Sequence, residues 1–161
     1  MPAPLAPRSV FPQDPPRPAE QLLIDWLPKL RAERVLCTTL GRGQFATAFS
    51  DAHPSARVAC WFLDLYALEQ SALQIGQRPE QFQLLCEVEP PAESFDLSCL
   101  PVQRQGQVEL VRDQLQLAHD RLQIGGTLVA ATDNASDSWL HDQLQPPFDK
   151  VSRFNVTGGV I

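Results

Sequence analysis

Glycines, thiols, imidazoles and arginines at particular spacings are the groups in this chain that could bind or react. Thr39-Leu40-Gly41-Arg42-Gly43 follows an apolar run, and two glycines so spaced let a backbone turn tightly and approach a ligand. The same pair also suits a turn that merely joins a strand to a helix. Cys37, Cys60, Cys86 and Cys99 contain no Cys-x-x-Cys pair, so they support neither a zinc ribbon nor a small disulfide scaffold. Each lies in an apolar run, where a free thiol behaves as a small hydrophobe, and no metal site is expected. His53 precedes Pro54 at a helix end, His119 adjoins Asp120 and Arg121, and His141 adjoins Asp142; all three read as helix-end or helix-surface residues. Arg42 and Arg104 fall in loops at one edge and are the best available nucleic-acid contacts.

These groups need elements to position them. The first 18 residues hold seven of the 15 prolines, which predicts an extended arm over residues 1–17. From Pro18 the pattern becomes helical, with Leu22, Leu23, Trp26 and Leu27 as an apolar stripe weakened at Pro28. Strands are expected at 34–39, 57–63, 82–87, 95–100 and 127–132, and helices at 44–53, 66–75, 108–122 and 136–144. Leu110, Val111, Leu115, Ala118 and Leu122 form the predicted core face of the longest helix. Gly125-Gly126 is expected to cap that helix, and Asn134 or Ser136 to cap the last one. Residues 149–156, Gly158-Gly159 and Val160-Ile161 read as the opening of a terminal hairpin. Strands alternating with helices require crossovers, so the expected fold is α/β: a doubly wound, Rossmann-like, mostly parallel sheet with a C-terminal antiparallel hairpin over residues 18–161.

Length and composition restrict the function classes. A chain of 161 residues with 43% hydrophobic content can bury one sizeable core. Its net charge of -6 makes the surface as a whole repel polyphosphate, so an RNA role would need a local patch or another domain. No apolar run reaches the roughly 18 residues of a membrane span, and the start lacks the apolar core of a secretory signal. A cytoplasmic protein with no membrane partner is expected.

Several segments together resemble the class I S-adenosylmethionine-dependent methyltransferases, within them the small-domain group that contains rRNA guanine-N2 methyltransferases. The resemblance runs from Arg17 to Ile161. Val35-Leu-Cys-Thr-Thr-Leu-Gly-Arg-Gly43 is similar to the family's first motif, and Phe62-Leu-Asp-Leu-Tyr-Ala-Leu-Glu69 to its second. Phe95-Asp-Leu97, Glu109-Leu-Val-Arg-Asp113, Ala118-His-Asp-Arg-Leu122 and Gly125-Gly-Thr-Leu-Val129 resemble its later run, the most specific part of the match. The resemblance implies the class I methyltransferase fold and S-adenosylmethionine as cofactor, with Thr39, Gly41, Gly43, Asp64 and Glu87 as its candidate binding residues. Glu87 would meet the adenine amino group.

The departures fall where that family does its chemistry. Cys37 stands in place of the acidic residue that positions the methionine end, and Thr39 replaces the first glycine. Phe62 aligns with the carboxylate that accepts both ribose hydroxyls, with Asp64 two residues later as the alternative acceptor. Pro101-Val-Gln-Arg104 corresponds to the catalytic Asn-Pro-Pro-Phe and contains no Asn, Asp or aromatic, so no catalytic residue is assigned. The resemblance then implies a degenerate domain, like the N-terminal domain of two-domain members, that scaffolds or positions a catalytic domain in the same chain or in a homodimer, with rRNA a weaker partner. Two alternatives stand beside it: an active methyltransferase with a shifted site, and an interaction module that docks through the proline arm. The expected last strand would run beyond Ile161, which suggests part of a longer chain.

Overall fold

Strands buried on both faces read as continuous apolar runs, and the centre of this molecule is built from such runs. The computed structural model describes residues 15–38, 42–75 and 80–161; most of the proline arm, Thr39 and Gly41 lie outside them. In chain order the elements are α1 (Pro18–Trp26), a 3-10 turn (Leu27–Lys29), β1 (Arg34–Thr38), α2 (Gln44–Ala52), β2 (Arg57–Phe62), α3 (Leu65–Ile75) and β3 (Phe82–Cys86). Then follow β4 (Phe95–Val102), α4 (Val108–Arg121), β5 (Leu122–Thr132), α5 (Trp139–Leu144), β6 (Asn155–Val156) and β7 (Gly159–Val160). The described strands form one sheet in the order β3-β2-β1-β4-β5-β7-β6. β1 to β5 pair in parallel, and β7 is antiparallel to both of its neighbours.

Alternate residues of the central strands face opposite layers. Val35, Cys37, Val58, Cys60, Phe62, Leu97 and Cys99 pack with Leu23 of α1 and with Phe45 and Phe49 of α2. Leu36, Ala59 and Trp61 face the other way, with Phe95, Leu122 and Leu117 of α4. Leu100, Val102 and Ala130 pack under Val111 and Leu115 of α4 and Leu140 of α5.

The connection from β3 to β4, residues 87–94, contains no helix. It must return the length of a strand, about 17 Å, and cross three strand spacings, about 14 Å. Eight extended residues span up to roughly 26 to 29 Å, which is enough. Side chains hold this strap on the sheet: the Trp61 indole Nε1 donates to the Glu87 carbonyl at 2.8 Å, Arg121 pairs with Glu89 at 3.2 Å, and Arg34 pairs with Glu93 at 3.2 Å.

The structure revises several sequence expectations. β4 continues through Pro101 and Val102, paired with Ala131 and Thr132, so half of the expected catalytic loop is sheet. Gly125-Gly126 does not cap α4; the helix passes directly into β5, and residues 123–126 form an irregularity between the pairs Phe95↔Leu122 and Leu97↔Thr127. On α4, Gln114 takes the buried place expected of Leu110, which is 40% exposed. α5 begins at Trp139, and it is Asp137 whose carboxylate accepts the Leu140 N–H at 2.9 Å. The first hairpin arm shortens to Asn155–Val156. No described helix is long and apolar enough to cross a membrane.

Candidate functional site

The carboxyl ends of β1 to β5 share one edge, and the strand order reverses there between β1 and β4, the place where open α/β sheets bind ligands. Here β1 presents Cys37 and Thr38, both buried. Cys37 stands opposite Cys60 on β2 and Cys99 on β4 in the pairing register, so three free thiols lie side by side. Burial pushes all three above the ordinary thiol range, and the neighbouring Cys60, Cys99 and Glu20 push Cys37 further. Without a partner charge they stay protonated at neutral pH and pack as small hydrophobes. Among the described residues no three His, Cys, Asp or Glu side chains are placed to hold a metal ion.

The acid nearest this thiol row comes from another element. Glu20 of α1 is only 1% exposed; its Oε1 accepts the Phe45 N–H at 3.0 Å, and its Oε2 has no hydrogen-bond partner among the described residues. Burial raises its pKa above the usual 4.5, while the Phe45 amide and Arg17 pull the other way. Sequence reading passed over Glu20. Its signal was spacing, because Glu20, Leu23 and Leu27 continue one helical stripe at i, i+3 and i+7.

Since the folded state holds this proton more tightly than the unfolded chain, the group's contribution to stability is fully present below about pH 4.5 and is lost as pH rises through the higher folded value. Glu20→Gln keeps an acceptor for Phe45 while removing the charge. In urea unfolding from pH 4.5 to 8 the variant is expected to lose less stability than the native chain; identical slopes would refute the assignment.

The candidate cofactor residues are distributed as follows. Gly43 precedes α2 with φ 72°, a left-handed conformation that favours glycine, and a Cβ there would come within 2.9 Å of Ile75 Cδ1. Asp64 follows β2 and is exposed, but its Oδ1 accepts the N–H groups of Tyr66 at 2.8 Å and Ala67 at 3.4 Å, which makes it the N-cap of α3. Glu87 follows β3 with its side chain exposed and its carbonyl held by Trp61. Around these carboxylates Leu63, Leu65, Tyr66 and Val88 are exposed apolar side chains. β2 ends at Phe62, which is 1% exposed. The neighbouring ends of β4 and β5 are tied by the Arg104 N–H to the Asp133 carboxylate at 3.0 Å, beside a cleft of 160 Å³ that reaches Trp139.

No protein-family model matches the chain, and no characterised sequence does either. Solved structures do match. An O-methyltransferase family protein from Burkholderia thailandensis superposes with TM-score 0.69 at 13% identity, over 88% of this chain and 54% of that one. The N-methyltransferase NodS from Bradyrhizobium japonicum WM9 gives 0.67 at 14% identity, over 88% of this chain and 89% of NodS; NodS is also known in complex with S-adenosyl-L-homocysteine. The methyltransferase SibL gives 0.65 at 19%, over 88% and 52%. The chain thus spans about half the length of the Burkholderia protein and of SibL. At these identities the likeness is one of architecture, and it agrees with the strand order and the antiparallel β7: the chain has the fold of the class I S-adenosylmethionine-dependent methyltransferases.

Proposed function

We propose that this is a methyltransferase-like domain of the rRNA guanine-N2 type that does not itself transfer methyl groups, and that it holds or positions a catalytic domain, in the same chain or in a second copy. One observation carries the reading: among the described residues no carboxylate stands where β1 and β2 end. A neutral thiol, Cys37, and a buried phenyl ring, Phe62, occupy those places. S-adenosylmethionine needs an anionic environment for its ammonium and a bidentate acceptor for its ribose. Glu20, the nearest buried acid, lies on α1 and accepts the Phe45 N–H of α2. Asp64 is engaged by α3. The described residues at these two strand ends therefore do not fit the ribose and methionine ends of the cofactor. The rRNA type rests on the later motif run, which spans α4 and β5.

A second reading, a cofactor site shifted onto Asp64 and Glu87, is favoured by the exposed apolar surface of Leu63, Leu65, Tyr66 and Val88, which could receive a purine face. Calorimetric titration with S-adenosylmethionine separates the two. The expected result is no binding in the micromolar range. Micromolar binding that Asp64→Ala abolishes would overturn the first reading and establish the second.

A further inference from the structure

β3 ends the strand order β3-β2-β1-β4-β5-β7-β6 on the side away from the hairpin, and among the described residues no strand lies beyond it. The Val58 N–H donates to the Gln81 carbonyl at 2.8 Å, and the register runs unbroken from Val58↔Phe82 to Phe62↔Cys86. Backbone groups of successive strand residues alternate in direction. Gln81, Gln83 and Leu85 therefore turn their N–H and C=O toward β2, while Phe82, Leu84 and Cys86 turn theirs outward.

Edge strands are ordinarily blunted by a charge, a proline or a bulge, because a bare row of donors and acceptors recruits another strand. Phe82-Gln-Leu-Leu-Cys86 contains none of these, and Leu84, Leu85 and Cys86 are only half-buried. The strand is also complementary to itself. Turned antiparallel against a second copy about a two-fold axis at Leu84, Phe82 lies opposite Cys86, and Leu84 opposite Leu84. These are the residues whose backbone groups point outward, so each pair exchanges two hydrogen bonds, about six in all. Their side chains share the face that packs on the layer of α1 and α2, which sets apolar groups against apolar groups.

Charge is matched on the other face. There Gln83 lies opposite Leu85, and Gln81 opposite Glu87 of the second copy. Arg57, next to Gln81 on β2, shares this face with Ala59 and Trp61. The pairing sets it two strand spacings, about 10 Å, from the backbone of that Glu87, a gap the two long side chains span. Arg57 and Glu87 are exposed, and neither makes an ion pair among the described residues. The two-fold axis makes the contact twice.

We infer that β3 is an interface for a second copy of this chain, the two sheets joining edge to edge through antiparallel β3 strands. The inference deepens the proposed function by giving the second copy named there a contact surface, and it rests on that reading in nothing else. Titration with S-adenosylmethionine tests the one and oligomeric state the other. A five-residue edge is small beside the interfaces of permanent dimers, so the association is reversible and on the micromolar scale.

The test is sedimentation equilibrium of the 161-residue chain from micromolar to millimolar concentration, with amide exchange followed by NMR. Exchange is expected to slow with concentration at Phe82, Leu84 and Cys86, whereas Gln83 and Leu85, already bonded to β2, are unaffected. Leu84→Lys sets two like charges together on the axis and is expected to weaken the dimer at least about tenfold. Arg57→Glu and Glu87→Arg, both at exposed positions that leave the core intact, are each expected to weaken it about threefold at low salt. Combining them should restore the native affinity. A chain monomeric throughout, protection without the alternation, or a double exchange no better than the single ones would overturn the proposal. So would protection that is independent of concentration and lost on deleting residues 1–14, because the arm would then occupy the edge.

Discussion

Trp61→Ala is expected to cost about 3 to 5 kcal/mol of folding stability, the usual range for emptying a large aromatic site in a packed core. For a domain of ordinary stability, about 5 to 15 kcal/mol, that is about a fifth or more of the total. Trp61 is 1% exposed between Leu36, Ala59, Phe95 and Leu117, and its indole is also the sheet's hydrogen bond to the strap at Glu87. The two contributions can be separated. Trp61→Phe fills most of the volume but loses the donor, for about 1 kcal/mol, and should raise amide exchange at residues 87–94 more than elsewhere. The Arg34–Glu93 and Arg121–Glu89 pairs, partly or fully exposed, hold the strap only weakly by comparison. Chemical denaturation with exchange mapping checks both substitutions. A loss below 1 kcal/mol for Trp61→Ala would show that the strap, rather than the indole, shields this face.

The central strands were legible because a parallel strand covered on both sides is apolar at every position, as Val35 to Cys37 and Val58 to Phe62 are. Pro101 was misread because a residue without an N–H suggests a loop. Yet Pro101 and Val102 stay in register with Ala131 and Thr132 of β5, so pairing along that one side carries the strand past the proline. Gly125-Gly126 suggested a cap because glycines after a helical stripe commonly are one, and nothing local shows that the sheet absorbs residues 123–126. In the candidate site, Asp64 ahead of an apolar helical pattern carried an N-cap signal in plain view, and that role competes with ligand binding for the same oxygen. The burial of Glu20 was hidden for the opposite reason: an acid in a first helical turn is favourable through the helix dipole alone, and only the packing of α1 on α2 brings it to the Phe45 amide. Local pattern thus identified the elements, while the site depended on which of two local roles the tertiary structure selected.

Gly158 and Gly159 show the same limit in two adjacent residues, and their substitutions are expected to differ in size and cause. A Cβ on Gly159 would overlap the carbonyl oxygen of Thr132 and lie 2.6 Å from Leu22 Cδ1. The oxygen belongs to the backbone of β5 at the one position where β7 pairs with it, so relief requires the strands to part. Gly159→Ala is therefore expected to cost about 3 kcal/mol, at the upper end of overpacking effects, and to speed exchange at Val160 and Ile161. Gly158 has open space around its Cβ position, but its φ of 93° is one that side-chain-bearing residues rarely adopt, so Gly158→Ala should cost only about 1 to 2 kcal/mol and leave the pairing intact. Thermal melts of the two variants give the order, and exchange at Val160 gives the cause. If Gly158→Ala proved the more damaging, turn conformation rather than the close approach of β7 to β5 would be what anchors the hairpin.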